Sequence, residues 1–333
     1  MQEEIDSIVS VPYKPRSLRF SPDGQVLVIS GKGPNVLFWC MTSGMLVDIP
    51  VGVGVADTAF LCPIHKRRQM IAMLTIEPKS RIVTVDCSSK YLPSSRVLSC
   101  ETTAHSTQVK TPRLSMVAHS NCTIFATSAG TEVKTWEVSH DSAAFIPCGT
   151  AETVGGIDDI CDLHFMSNSD SLLVTYCYHK EIYSSAISPC ENYIIIHDSH
   201  KVMELWHINS WERELRWELS IPQKDMWKKY PIVLGTSRVY IAGAEGQIIA
   251  RRPNSDSPHI STVAGGRIFA MTATTAGPPF FAAAFCAALL PTSYLVEVWA
   301  DKQCNTIINP TIRIHNPQQK RRHWNLTVCQ PSK

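Results

Sequence analysis

The sequence predicts an all-β fold, a seven-bladed β-propeller of four-stranded antiparallel blades. Three observations carry that expectation: a short phrase that repeats around tryptophan, less regular units of the same strand order between the repeats, and strands of four to six residues punctuated by Gly, Pro, Asn and Ser. The phrase runs Phe20-Ser21-Pro22-Asp23-Gly24, then Val26-Leu27-Val28-Ile29, then Val36-Leu37-Phe38-Trp39. It returns from Val117 through Ile124-Phe125-Ala126-Thr127 to Trp136, and from Ile187-Ser188-Pro189 through Tyr193-Ile194-Ile195-Ile196 to Trp206. In all three the opening hydrophobe stands 19 residues before the tryptophan. That span reads as strand, turn, strand, turn, strand, and internal repetition constrains architecture ahead of any other argument.

Trp39, Trp136, Trp206 and Trp299 lie 97, 70 and 93 residues apart, too far for one short repeat. Each gap holds a further unit. The first runs from Thr58-Ala59-Phe60-Leu61 to Arg81-Ile82-Val83-Thr84-Val85, the second from Asp162-Leu163-His164-Phe165 to Leu172-Leu173-Val174-Thr175-Tyr176. The third runs from Ile232-Val233-Leu234 to Gln247-Ile248-Ile249-Ala250-Arg251, with Arg251 in the tryptophan slot, again 19 residues after its opening Ile232. Four regular and three irregular units make seven.

The fourth blade reads as truncated. Phe165 and Ile187 open successive phrases only 22 residues apart, and His179–Tyr183 is too short for a third and fourth strand. Against the usual repeat length, about 20 residues are missing, which leaves the ring a poorly covered edge. For closure the sequence favours Ile5–Val11 as the outer strand of the last blade. The rival, Thr306–Ile314, is interrupted by Pro310, which removes a ladder donor. The propeller is expected over residues 5–305, and residues 316–333 read as a polar, basic, disordered tail.

With these phrases in hand, the chain resembles WD-repeat (WD40-type) β-propeller proteins over nearly all of residues 5–301, and its degenerate repeats are similar to those of fungal single-domain members. The departures from the family pattern are specific. The Asp that follows the tryptophan in the family is Cys40, Glu137, His207 and Ala300 here. The acid expected six residues before it is Gly33, Gly130, His200 and Ser293, and only the Arg251 unit carries one, Glu245. The family's Gly-His pair is absent too. The resemblance therefore implies that the Asp-His-Ser/Thr-Trp hydrogen-bond network is missing from every blade. Losing all its members is more tolerable than losing one, so stability is expected to rest on apolar packing and to fall below that of a consensus propeller.

Composition excludes several function classes. Thirty-one basic residues balance 29 acidic ones, which disfavours nucleic-acid binding through a broad basic field. Twelve cysteines include no C-x-x-C pair, so they read as reduced thiols in a cytoplasmic or nuclear protein. The acidic start Met1–Asp6 has no apolar run and no signal-peptide character. Ile268–Leu290 carries no charge, but Gly277-Pro278-Pro279 divides it, and two buried strands fit it better than a membrane span.

Most candidate sites have a plain structural reading. His197 and His200 flank Asp198 and Ser199 at a strand turn without a third metal ligand. Asp158, Asp159 and Asp162 lack a calcium-loop spacing, and Ser139-His140-Asp141 holds triad residue types that adjacent positions cannot stack into a triad. No phosphate-cradling or nucleophile-elbow motif occurs. Lys320-Arg321-Arg322-His323-Trp324 and His65-Lys66-Arg67-Arg68 fit solvated segments. One cluster stands outside the blade register: Trp211, Arg213, Arg216, Trp217 and Trp227. Two readings fit it, packing between blades or an aromatic, Arg-rich interaction patch.

The expected function is a non-enzymatic scaffold that binds a protein or peptide through propeller loops, without cofactor, metal or membrane, as a monomeric propeller within a complex. The alternatives are an RNA- or chromatin-associated adaptor using the basic tail, and a hydrolase-type site at the central channel.

Overall fold

The computed structural model describes residues 5–61, 69–77, 79–87, 97–106, 114–118, 123–138, 145–152, 159–166, 171–176, 182–198, 202–218, 231–234, 239–242, 246–251, 259–262, 265–274, 280–287, 294–300 and 327–329. Every regular element among them is a β-strand, and the strands form seven antiparallel sheets. β1 (Ile5–Val11) precedes the first blade, which is β2 (Pro15–Phe20), β3 (Val26–Gly31), β4 (Asn35–Cys40) and β5 (Leu46–Pro50). Blade 2 is β6 (Val55–Leu61), β7 (Gln69–Thr75), β8 (Lys79–Cys87) and β9 (Val97–Ser106). Blade 3 is β10 (Leu114–Ala118), β11 (Ile124–Ala129), β12 (Glu132–Val138) and β13 (Phe145–Glu152). Blade 4 has only β14 (Ile160–Phe165) and β15 (Leu172–Tyr176) of its own. Blade 5 is β16 (Ile182–Ile187), β17 (Tyr193–Asp198), β18 (Val202–His207) and β19 (Glu212–Glu218). Blade 6 is β20 (Ile232–Leu234), β21 (Val239–Ala242), β22 (Gln247–Arg251) and β23 (His259–Thr262), and blade 7 begins with β24 (Gly265–Ala273), β25 (Phe280–Ala287) and β26 (Tyr294–Ala300).

The first strands pack side by side in the order β2, β6, β10, β14, β16, β20, β24 and back to β2, so the sheets close into a ring. The N-terminal strand completes blade 7: β1 pairs antiparallel with β26 from Val11↔Tyr294 to Ile5↔Trp299. The uncharged stretch after Ile268 is the antiparallel pair β24–β25, and no helix among the described residues is long and apolar enough to cross a membrane.

The short fourth blade is completed from far along the chain. β27 (Thr327–Cys329) pairs antiparallel with β15, as Leu172↔Cys329, Leu173↔Val328 and Val174↔Thr327. This corrects the expectation of an unstructured tail at those three residues. The physical reason is the open edge itself, whose unpaired backbone groups recruit any strand that reaches them. Residues 316–326 and 330–333 lie outside the described residues.

The repeated tryptophan has a fixed place. Across the second and third strands Trp39 faces Leu27, Trp136 faces Phe125, Trp206 faces Ile194 and Trp299 faces Phe281. Cross-strand pairs of large apolar residues are the unit of sheet stabilisation. The apolar clusters then bridge blades rather than fill them. One joins blades 7 and 1 through Leu18, Leu27, Trp39, Ala284 and Val298, and another joins blades 5, 6 and 7 through Leu205, Trp217, Tyr240 and Phe281.

Candidate functional site

The innermost strands carry a polar girdle. β2, β6, β14 and β16 each have a register shift at their start, after Pro15, Val55, Ile160 and Ile182. The residues just past the shift are Ser17, Asp57, Asp162 and Ser184, and a bulge there re-aims the side chain that follows. Asp57 binds three blades together. It accepts from Ser17 Oγ at 2.6 Å, from the Arg19 fork at 3.1 and 3.4 Å, and from the Met116 backbone N–H at 2.9 Å. Asp162 repeats the role two blades on, accepting the Ser185 N–H at 2.8 Å. Arg19, its side chain 42% exposed, donates also to Met116 O and is held charged chiefly by Asp57. The girdle ties the first strands to one another, so its carboxylates are already occupied as acceptors.

Blade 3 corrects a second expectation. Trp136 Nε1 donates to Thr127 Oγ1 at 2.9 Å, Thr127 Oγ1 meets His105 Nε2 at 2.9 Å, and His105 Nδ1 meets Glu132 Oε2 at 2.6 Å. The Trp-Thr-His-acid network is therefore present in this blade, with Glu132 as its acid. Proton accounting fixes the direction. Thr127 accepts from the indole and gives its own proton to Nε2, leaving Nδ1–H to donate to the carboxylate. Burial pushes the His105 pKa below its ordinary value against the pull of Glu132, so the ring is neutral. Burial opposes ionisation of Glu132, but hydrogen bonds from His105 and Lys134 outweigh it and hold the carboxyl below its usual range. Lys134 Nζ bridges Glu132 at 3.2 Å and Ala104 O at 2.9 Å. His105 and Ala104 belong to β9, so the network latches blade 2 to blade 3. The signal was in the sequence at an unexpected offset: an acid four residues before the tryptophan, and a histidine on the preceding blade without its glycine.

The candidate patch on blade 5 is divided. Trp217 is 6% exposed inside the cluster between blades 5 and 6, with the Arg251 guanidinium 5.2 Å over its ring. Arg213 is turned to the buried Glu204 at 2.8 Å, and Arg216 stands 3.9 Å from the same carboxylate with its side chain 47% exposed. Trp227 lies outside the described residues. Trp211 is 40% exposed, at the turn between β18 and β19.

That turn is built like its counterpart in blade 1. In blade 1 the Gly44 N–H donates to Cys40 O; in blade 5 the Trp211 N–H donates to His207 O. The preceding turns match as well, with Gly24 N–H to Ser21 O and Glu191 N–H to Ser188 O. Blade 1 fills both positions with glycines in the left-handed region, Gly24 at φ 71° and Gly44 at φ 69°. Blade 5 fills them with Glu191 at φ 57° and Trp211 at φ 53°, the two non-glycine residues of positive φ among the described residues. The two turns touch, because the Ile208 N–H donates to Asn192 O. Around them stand Tyr193, edge-on to His207 with ring centroids 5.4 Å apart, and Ser210, whose hydroxyl is 3.2 Å from His207 Nδ1.

The other candidates are dispersed. His197 is buried, and burial lowers its pKa to about 4; Asp198 accepts the Val202 N–H at 2.9 Å. Asp159 is exposed and Asp162 belongs to the girdle. Among the described residues no group of His, Cys, Asp and Glu is disposed to hold a metal ion. His200, Asp158, Ser139-His140-Asp141, His65–Arg68 and Lys320–Trp324 lie outside the described residues.

No known family model matches the sequence, and no curated protein matches it. Its three-dimensional form is matched. The β-propeller domain of Cps50 (Swd1) from Myceliophteria thermophila superposes with a TM-score of 0.66 over 90% of this chain and 99% of that one, at 9% identity. At that identity the likeness carries the fold alone. With the ring of seven antiparallel sheets beside it, the chain is a β-propeller.

Proposed function

We propose that the protein is a non-enzymatic interaction scaffold that engages a protein or peptide partner through the blade 5 turns around Trp211. The carrying observation is the placement of Glu191 and Trp211 at left-handed positions that blade 1 gives to glycine. A bulky residue there costs about 1–3 kcal/mol, and such strain clusters at ligand-binding sites. An exposed indole on a rigid turn, with Tyr193 and His207 on the strands that flank the two turns, has the aromatic composition of an interface hot spot. The ring supplies the rigid frame on which loops bind.

The test is Trp211→Gly in the full chain. Chemical denaturation should show a gain of about 1–2 kcal/mol from relief of the left-handed strain. Capture of nuclease-resistant partners from native extract should fall at the same time. A variant that is more stable yet retains every partner would remove the assignment of binding to this face.

A further inference from the structure

Blade 4 is two strands short, and the chain itself shows what fits the vacancy. After β15 only residues 177–181 intervene before β16, the innermost strand of blade 5. The third-strand place is taken by β27, three residues long, against the five of β15. In the other six blades the third strand has between five residues, in β22, and nine, in β8, and a fourth strand lies outside it. The residues of β15 that β27 pairs with, Leu172, Leu173 and Val174, have deeply buried side chains, Leu172 and Val174 packed against blade 3 and Leu173 against blade 5, so the neighbouring blades hold β15 in place and β27 covers its backbone edge. β27 is also remote in sequence: residues 301–326 separate it from β26. Fully extended, that length reaches on the order of 85 Å, so the segment can leave the edge without disturbing blade 7.

We propose that the β15 edge of blade 4 is a strand-exchange site, covered in cis by Thr327–Cys329 and taken in trans by an extended, uncharged, β-branched segment of a partner protein. The proposal rests on the scaffold reading and names a second contact for it. Strand addition to an exposed sheet edge draws affinity from main-chain hydrogen bonds and specificity from alternate side chains. The occupant seen, Thr327-Val328-Cys329, shows the chemistry the edge accepts: no charge, and two adjacent β-branched residues. A five-residue partner strand matches the length of β15 and gains ladder pairs that β27 does not make. The tail competes at high effective concentration because it is tethered, so it acts as a built-in competitor that sets a threshold for partners.

The experiment uses the full chain and a fluorescein-labelled peptide copying residues 323–333 with Cys329→Ser, read by fluorescence anisotropy. Thr327→Pro together with Val328→Pro disables the tail strand. Two adjacent prolines are needed because the donors facing the partner strand alternate along an antiparallel pair. The proline variant should bind the peptide at least tenfold tighter than the wild type, and a peptide carrying the same two prolines should not bind. No binding to a variant that melts like the wild type, or equal binding to both proteins, overturns the proposal. Should the variant fail to fold, hydrogen exchange on the wild type decides. With saturating peptide, the amides of Thr327–Cys329 should lose protection while those of β15 keep it, and an unchanged tail overturns the proposal. A concentration-dependent dimer in the wild type that the prolines abolish would assign the edge to a second copy's tail and overturn it as well. Peptide binding reads β15 alone. An empty partner capture alongside tight peptide binding would therefore count against the scaffold and not against the edge.

Discussion

Blades 3 and 4 are neighbours that solve one problem in opposite ways. Blade 3 has four strands of its own and a directed hydrogen-bond relay, Trp136 to Thr127 to His105 to Glu132, that fastens its third strand to the blade before it. Blade 4 has no tryptophan and borrows its third strand from β27. Its polar network lies further in, where β15 meets β14 and the first strand of blade 5. Thr175 Oγ1 bridges Asp162 O at 3.2 Å and Ser185 Oγ at 3.0 Å, and His164 Nε2 meets the same Ser185 hydroxyl at 3.0 Å. Blade 4 is thus held at its inner strands, with no fourth strand outside β27 among the described residues, while blade 3 is latched further out. The lesson is that the ring needs each blade fixed to a neighbour, and either radius serves.

The contrast breaks most severely at Trp136. Replacing it with alanine empties a core position against Phe125, whose ring stacks at 6.3 Å, and leaves Thr127 without its indole donor. A loss of about 3–5 kcal/mol in denaturant unfolding is expected; a loss below about 1 kcal/mol would mean the latch contributes little. Next is Thr175→Val in blade 4, which keeps shape and removes the hydroxyl that joins Asp162 to Ser185. It should cost about 1–3 kcal/mol by leaving buried partners unsatisfied, and a neutral result would shift the anchoring of blade 4 onto apolar packing with Leu172 and Val174.

The pH dependence separates the two blades further. His105 has a folded pKa below its unfolded one, and so has Glu132. Both therefore contribute stability that is present above their unfolded values, near 6.5 and 4.5, and is lost as pH falls through the folded ones. Acid titration should weaken the latch between blades 2 and 3, and His105→Gln should flatten that part of the profile. His197 in blade 5, lowered to about 4 by burial, adds an acid loss of its own. An unchanged profile in the variant would show that His105 does not titrate with folding. The smallest effect is expected at β27: Thr327→Pro with Val328→Pro should change global stability by less than about 1 kcal/mol, because three pairs at a blade edge are few. A larger loss would make the tail a structural strand of the ring.

Strand positions were legible because they obey short periods. The unit over Ile232–Leu234, Val239–Ala242 and Gln247–Arg251 forms β20, β21 and β22 with those bounds, and alternation with a Pro12 stop sufficed to assign Ile5–Val11 to blade 7. The shortness of blade 4 could be counted from Phe165 to Ile187. The network of blade 3 could not be read by family offsets. Its histidine stands 27 residues before its acid, on another blade, and nothing local marks His105 as a partner of Trp136. The paired roles of Asp57 and Asp162 were hidden for the same reason, since each binds a backbone N–H of the next blade's first strand. The interaction cluster looked uniform by composition, yet Trp217 packs inward and Trp211 outward, and only φ reveals that Glu191 and Trp211 occupy glycine positions.

Alone, the sequence determined the strands, their order within blades and the deficit in the fourth, because side-chain alternation and turn residues act over a few positions along the chain. Tertiary structure decided which side chains meet across blade boundaries and which segment fills the deficit. Those outcomes depend on ring closure, which brings together residues as distant as Val174 and Thr327 and lets backbone groups at an open edge select their partner.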